Sequence, residues 1–134
     1  ILCGGERPNL DSPFDKGAFL RPTVISNLDY QSRTATEEIF GPVVTLHSFE
    51  SEDEAIEMAN CTDYGLAGSV WTSDLVRGKK ISEKIETGMV WVNTWLHRDL
   101  RVPFGGVKDS GVGTEGGRWS LGFFSQPVNI CVKN

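Results

Sequence analysis

VVTLHSFESEDEAIEMANCTDYGLAGSVWTSDLVRGKKISEKIETGMVWVN, running from Val43 to Asn93, is the stretch that decides the fold. Val43 to Phe49 is rich in β-branched and aromatic residues and reads as a strand. Ser51 with Glu54 three residues later forms a capping box, and Ala55, Ile56 and Ala59 follow as an apolar helical stripe. Tyr64-Gly65 breaks that helix, and Ser69 to Thr72 predicts a second strand. Ser73 or Asp74 then caps a second helix carrying Leu75, Gly78, Ile81 and Ile85, with Gly88 where a C-terminal cap belongs. Met89 to Asn93 completes a β-α-β-α-β order, which calls for crossover connections and a parallel sheet. The predicted fold class is therefore α/β.

Upstream, residues 1 to 22 are rich in Gly, Pro and Asp and read as a loop ahead of the β-branched run Thr23-Val24-Ile25. Downstream, Pro103 to Gly117 is a Gly-rich loop, Trp119 to Phe124 predicts a short helix, and Val128 to Lys133 predicts a last strand. Pro127 lacks an amide donor and so falls at that strand's start.

At 134 residues the chain has room for one moderate core and not for two full domains. Fifteen Gly residues and 39% apolar residues describe a globular chain with many tight turns, which excludes collagen, coiled coil and disorder. Thirteen Lys and Arg against eighteen Asp and Glu give a net charge of −5, the wrong sign for binding phosphates of nucleic acid or an anionic membrane. No apolar run approaches the roughly 20 residues of a spanning helix. Three cysteines without a CxxC pair support neither a disulfide framework nor a zinc knuckle, so a reducing, cytoplasmic setting is expected. The chain opens at Ile1 with no Met and no signal segment, and reads as a piece of a longer polypeptide.

Gly111 to Gly116 matches GxGxxG literally, but no convincing strand precedes it and no acidic residue follows about 20 positions later, so dinucleotide binding there is rejected. The neighbouring Glu37 and Glu38 point to opposite faces of an extended chain, so at most one belongs to a site. His47 and His97 have no ligand-spaced partners, and no metal site is expected. Cys61 and Cys131, at a helix end and in a strand, default to packing roles. Phe104-Gly105-Gly106 on its own reads as a turn-rich connection.

Four segments change that reading: EEIFGPV (Glu37 to Val43), DYGLAGSVWT (Asp63 to Thr72), TGMVWVN (Thr87 to Asn93) and PFGGVKDSGVG-E (Pro103 to Glu115). In this order and spacing they resemble the C-terminal part of the catalytic domain of NAD-dependent aldehyde dehydrogenases. Trp95-Leu-His-Arg98-Asp-Leu just before PFGG is most similar to the 2-aminomuconic and 2-hydroxymuconic semialdehyde dehydrogenases. The resemblance implies a partial catalytic domain over residues 1–126 and an oligomerisation strand over 127–134.

It also implies roles. Glu38 would accept the nicotinamide ribose hydroxyls of NAD, and Phe40 would pack near the nicotinamide ring. Asn93 would offer a side-chain N–H to the oxyanion, and Glu115 would relay protons. Trp95 and Phe104 would line the substrate tunnel, and Arg98 would pair with the far carboxylate of a muconic semialdehyde. The alternative for Arg98 is a surface pair with Asp99, worth little. The implied reaction is oxidation of a semialdehyde to the acid through a cysteine thiohemiacetal, with NAD as acceptor. None of Cys3, Cys61 or Cys131 matches the family nucleophile motif, so the chain alone is expected to be inactive. Val128 to Lys133 would pair with a neighbouring subunit, making the enzyme a homo-oligomer, dimer or tetramer. The rival reading is a non-catalytic truncated module that uses the same strand to pair with intact subunits.

Overall fold

The structure, a computed structural model, describes residues 1–133 as two compact units, residues 1–62 and residues 63 onward. In the first unit β1 (Thr23–Ser26) pairs in parallel with β2 (Val43–Leu46), Thr23 opposite Val43 and Ser26 opposite Leu46. The β-branched side chains of both strands suit such a pleated surface. The connection carries a short α1 (Arg33–Thr36), which the sequence pattern did not reveal. Thr23 anchors this unit: only 4% exposed, its hydroxyl accepts from Gly5 N (2.9 Å) and donates to the Arg21 carbonyl (2.7 Å).

After β2 comes α2 (Glu52–Asn60), started by the anticipated Ser51, whose hydroxyl accepts from Glu54 N at 3.2 Å. The reciprocal arm differs: the Glu54 carboxylate accepts from Glu50 N (2.7 Å), one residue before the cap. Ala55 and Ile56 are half-buried as the stripe requires, while Ala59 is exposed and Met58 takes the next inward position.

In the second unit β3 (Tyr64–Gly65) pairs antiparallel with β6 (Val107–Lys108), and β4 (Ala67–Val70) pairs in parallel with β5 (Met89–Val92) across α3 (Leu75–Ser82). Asp74 is the cap of α3, its carboxylate accepting from Val76 N and Arg77 N at 3.0 Å each. Gly78 is the buried residue of that helix, since a Cβ there would press on Thr72 and Val92. The last helix, α4, spans Gly117–Phe123.

The α/β class holds, but not one continuous sheet over residues 43–93. β2 takes β1 as partner and β4 takes β5, so the parallel ladders are separate two-stranded pieces. Gly88 caps no helix, because α3 ends at Ser82 with Glu83 as its cap. Its backbone instead passes so close to the Gly105 carbonyl that no side chain fits, and its N–H bonds Gly65 O at 3.0 Å. All three cysteines are exposed rather than packed, Cys61 at the end of α2. Val128 to Lys133 forms no ladder, because among the described residues no strand pairs with it.

Little of the chain is buried. Trp91 is the one large apolar side chain below a tenth exposed among the described residues, and the accessible surface is 10720 Å². A monomeric protein of this mass exposes about 7,000 Å². Leu121, Phe123, Phe124, Val128, Ile130 and Val132 are among the uncovered apolar side chains. No helix of the described residues is long and apolar enough to cross a membrane.

Candidate functional site

Five of the seven residues singled out from the sequence fall in the second unit, on β5 and the loops that follow it. At the end of β5, Asn93 adopts φ 54°, left-handed backbone. Its side-chain amide extends the ladder one step: Oδ1 accepts from Thr72 N (2.8 Å) and Nδ2 donates to Thr72 O (2.7 Å). One hydrogen of the Nδ2 group is thereby committed and the other is not.

The loop from Asn93 to Arg98 is held by aromatic packing. Trp91, 7% exposed, donates from its indole nitrogen to the His97 carbonyl (2.7 Å), and its ring lies 4.9 Å from that of Trp95. Leu96 has φ 57°, rare for a bulky residue, so the loop stores backbone strain that the indole bond helps to retain. Sequence reasoning singled out Trp95 but not Trp91, because its contact with His97 depends on the path of the loop after β5.

His97 is thus tied down immediately before Arg98, whose guanidinium meets two of the other named residues. Its Nη2 donates to Glu115 Oε1 at 2.5 Å, and its carbon sits 4.1 Å from the Phe104 ring centroid. Phe104 and Glu115 are themselves backbone partners, exchanging two N–H···O bonds of 2.8 Å each. That pair fixes the ring and the carboxylate as one surface, on which the cation rests. The Arg98–Asp99 pair does not form: Asp99 is taken by Arg101, whose Nε lies 2.9 Å from Oδ1. This guanidinium holds the Asp99 carboxyl below its ordinary range, through the side-chain bond first and the Arg101 backbone N–H second.

Phe104 and Glu115 line an open cleft of about 400 Å³ together with Gly105, Thr114, Phe123 and Phe124. Its walls are apolar on the Phe side and carry one carboxylate. The sequence GxGxxG lies here, and it does lead into α4. The strand before it, however, is a two-residue antiparallel piece and not the parallel strand of a βαβ unit.

The remaining two residues lie in the first unit. Glu37 is paired with Arg33 (2.7 Å), whereas the Glu38 carboxylate is exposed and makes no bond to the described residues. Phe40 is 92% exposed and has φ 54°, an aromatic side chain held out on strained backbone. A free carboxylate two residues from an exposed ring fits a ligand that offers a diol and a flat face. Among the described residues no three His, Cys, Asp or Glu side chains gather as metal ligands.

The aldehyde dehydrogenase family model matches residues 1–130. A 2-aminomuconic 6-semialdehyde dehydrogenase from a Pseudomonas species is 48% identical over 133 residues, 99% of this chain and 27% of that protein. The 2-aminomuconic semialdehyde dehydrogenase of Homo sapiens is 45% identical, over 100% of this chain and 28% of its own length. Betaine aldehyde dehydrogenase from Staphylococcus aureus, solved in complex with NAD+, superposes with a TM-score of 0.85 at 44% identity, covering 92% of this chain and 24% of that one. A Mycobacterium tuberculosis aldehyde dehydrogenase complexed with NAD+ gives 0.83 at 43%, covering 98% and 28%. The chain therefore spans about a quarter of the length of the proteins it matches.

Proposed function

Because the chain belongs to the aldehyde dehydrogenase family, we propose that it is the C-terminal portion of an NAD-dependent enzyme that oxidises a carboxylated, muconic-type semialdehyde to its acid. The observation that carries this reading is the Arg98 cation laid on Phe104, a residue that lines an apolar cleft. A guanidinium with unused N–H donors binds a carboxylate in a planar, directional way, which an uncharged aldehyde cannot exploit. Trp95 and Phe104 supply apolar wall that keeps bulk water from the chain of the substrate.

Asn93, steadied by Thr72, offers its uncommitted N–H to the oxygen that gains charge during attack on the aldehyde. The Glu115 carboxylate, with one oxygen not engaged by Arg98, takes up and passes on a proton. Glu38 accepts the ribose hydroxyls of NAD, and Phe40 shields one face of the nicotinamide. NAD, when bound, accepts the hydrogen and electron pair removed from the aldehyde carbon.

None of the three exposed cysteines matches the family nucleophile motif, and Cys61 donates to the Met58 carbonyl at 3.0 Å. The 134-residue chain alone is accordingly inactive. Its free thiols suit a reducing compartment, taken here as the cytoplasm. Val128, Ile130 and Val132 alternate along an exposed, unpaired segment, which suits addition to the sheet of a second subunit in a homo-oligomer.

Replacing Arg98 by Ala in the dehydrogenase that carries this sequence tests the anchor. A charge-assisted pair accounts for about 10- to 100-fold in affinity. kcat/KM for 2-hydroxymuconic semialdehyde should fall by that factor more than kcat/KM for hexanal. Equal losses for both aldehydes would remove Arg98 as a carboxylate anchor.

A further inference from the structure

The charge of Arg98 already has an owner. The only anion bonded to it among the described residues is Glu115, and the bond is made by one guanidinium nitrogen to one carboxylate oxygen. We propose that Glu115 is the resident counter-ion of Arg98, displaced when an anionic substrate docks, and thereby sets how strongly the site prefers carboxylated over neutral aldehydes. This inference rests on the reading of Arg98 as a carboxylate anchor and adds a specificity-determining role for a second residue.

Three features support it. First, Phe104 covers one face of the guanidinium at 4.1 Å, so carboxylates approach through its edges, and Glu115 occupies one of them. Second, Glu115 cannot drift far from Arg98, because its backbone is locked to Phe104 by two 2.8 Å bonds. The competing carboxylate is therefore always at high local concentration, as any tethered ligand is. Third, the pair is open to solvent, with the Arg98 side chain 37% and the Glu115 side chain 59% exposed, so exchange of one carboxylate for another requires no unfolding. Two carboxylates crowding one cation repel each other, so the incoming group gains most once the Glu115 side chain swings aside.

An exposed ion pair is worth little, which makes the competitor weak enough to be displaced and strong enough to be measured. In the dehydrogenase carrying this sequence, Glu115→Gln should lower KM for 2-hydroxymuconic semialdehyde about two- to five-fold relative to KM for hexanal. Any loss of kcat from the missing proton relay should be the same for both aldehydes. The KM effect should shrink at 1 M salt, where the exposed pair is screened. In an Arg98→Ala background, Glu115→Gln should no longer discriminate between the two substrates. A Glu115→Gln enzyme whose KM changes equally for both aldehydes, or whose selectivity survives in the Arg98→Ala background, overturns the counter-ion role. If Arg98→Ala by itself shows no selective loss, the anchor reading fails and takes this inference with it. A selective Arg98→Ala loss without a selective Glu115→Gln gain overturns the counter-ion role alone. The neutral Glu115→Met variant, measured beside it, keeps the backbone bridge to Phe104 and should give the same selective fall in KM.

Discussion

Trp91→Phe is the perturbation that most sharply separates the packing of the site loop from its chemistry. The indole N–H to His97 carbonyl bond, 2.7 Å long, is lost, and the aromatic contact with Trp95 at 4.9 Å is kept in reduced form. The bond contributes about 1 kcal/mol net. The smaller ring buries about 40–50 Å² less apolar surface, which at roughly 25 cal/mol per Å² adds ~1 kcal/mol. The sum, about 2 kcal/mol, corresponds to a fall in Tm of about 8 °C for a chain of this size. Trp91→Ala, which removes the ring altogether, should cost about 3–5 kcal/mol. Urea unfolding followed by far-ultraviolet circular dichroism gives both values from the shift in midpoint at constant slope. In the dehydrogenase, releasing His97 should also loosen Arg98, raising KM for the carboxylated aldehyde more than for hexanal. A Trp91→Phe chain within about 0.5 kcal/mol of its parent would refute the assignment of His97 as anchor of the loop.

Thr23→Val leaves Gly5 N–H and the Arg21 carbonyl without the hydroxyl that serves both, and should cost about 1–3 kcal/mol in urea unfolding; a change below 0.5 kcal/mol would mean water takes its place. Gly88→Ala forces a methyl group onto the Gly105 carbonyl, so it should destabilise by about 1–3 kcal/mol and raise KM by shifting the Phe104 loop; unchanged Tm would contradict the close approach. Arg101 holds the Asp99 carboxyl below its ordinary range, so the pair stabilises the fold above the unfolded-state pKa and the benefit is lost as pH falls through the folded one. The Tm gap between parent and Asp99→Asn should therefore be constant near neutrality and narrow as pH falls below about 4, and a gap that does not narrow on acidification would contradict it. Ile130→Asp places a charge in the exposed apolar segment, so sedimentation should show dissociation of the dehydrogenase oligomer, and an unchanged oligomer would exclude residues 128–133 from the interface.

Local rules carried much of the fold. Ser51, Asp74 and the β-branched run at Thr23 act over a few residues, and each appears where the pattern puts it. The partition into separate parallel pairs was not legible, because strand periodicity says which faces are apolar and not which strands become neighbours. Gly88 was assigned to the wrong backbone: its constraint comes from Gly105, distant in sequence. The short α1 has no apolar stripe to announce it.

The site was legible as a list and not as a geometry. Arg98, Phe104 and Glu115 were named for separate tasks, and only the antiparallel bridge between Phe104 and Glu115 turns them into one cation-binding surface. Asp99, adjacent to Arg98, is the alternative partner the sequence offers, yet it turns to Arg101 through both its carboxylate oxygens. The resemblance singles out Glu38 over Glu37, and the structure adds that Glu37 is engaged by Arg33.

The central claim is that these residues form part of a dehydrogenase for a carboxylated semialdehyde. NADH absorbance at 340 nm tests it most directly, measured with 2-hydroxymuconic semialdehyde for the native polypeptide that contains this sequence and for the 134-residue chain alone. The account predicts NAD reduction by the former, with a higher kcat/KM than for hexanal, and none by the latter. Turnover by the isolated chain, or a native polypeptide that favours hexanal, would contradict it.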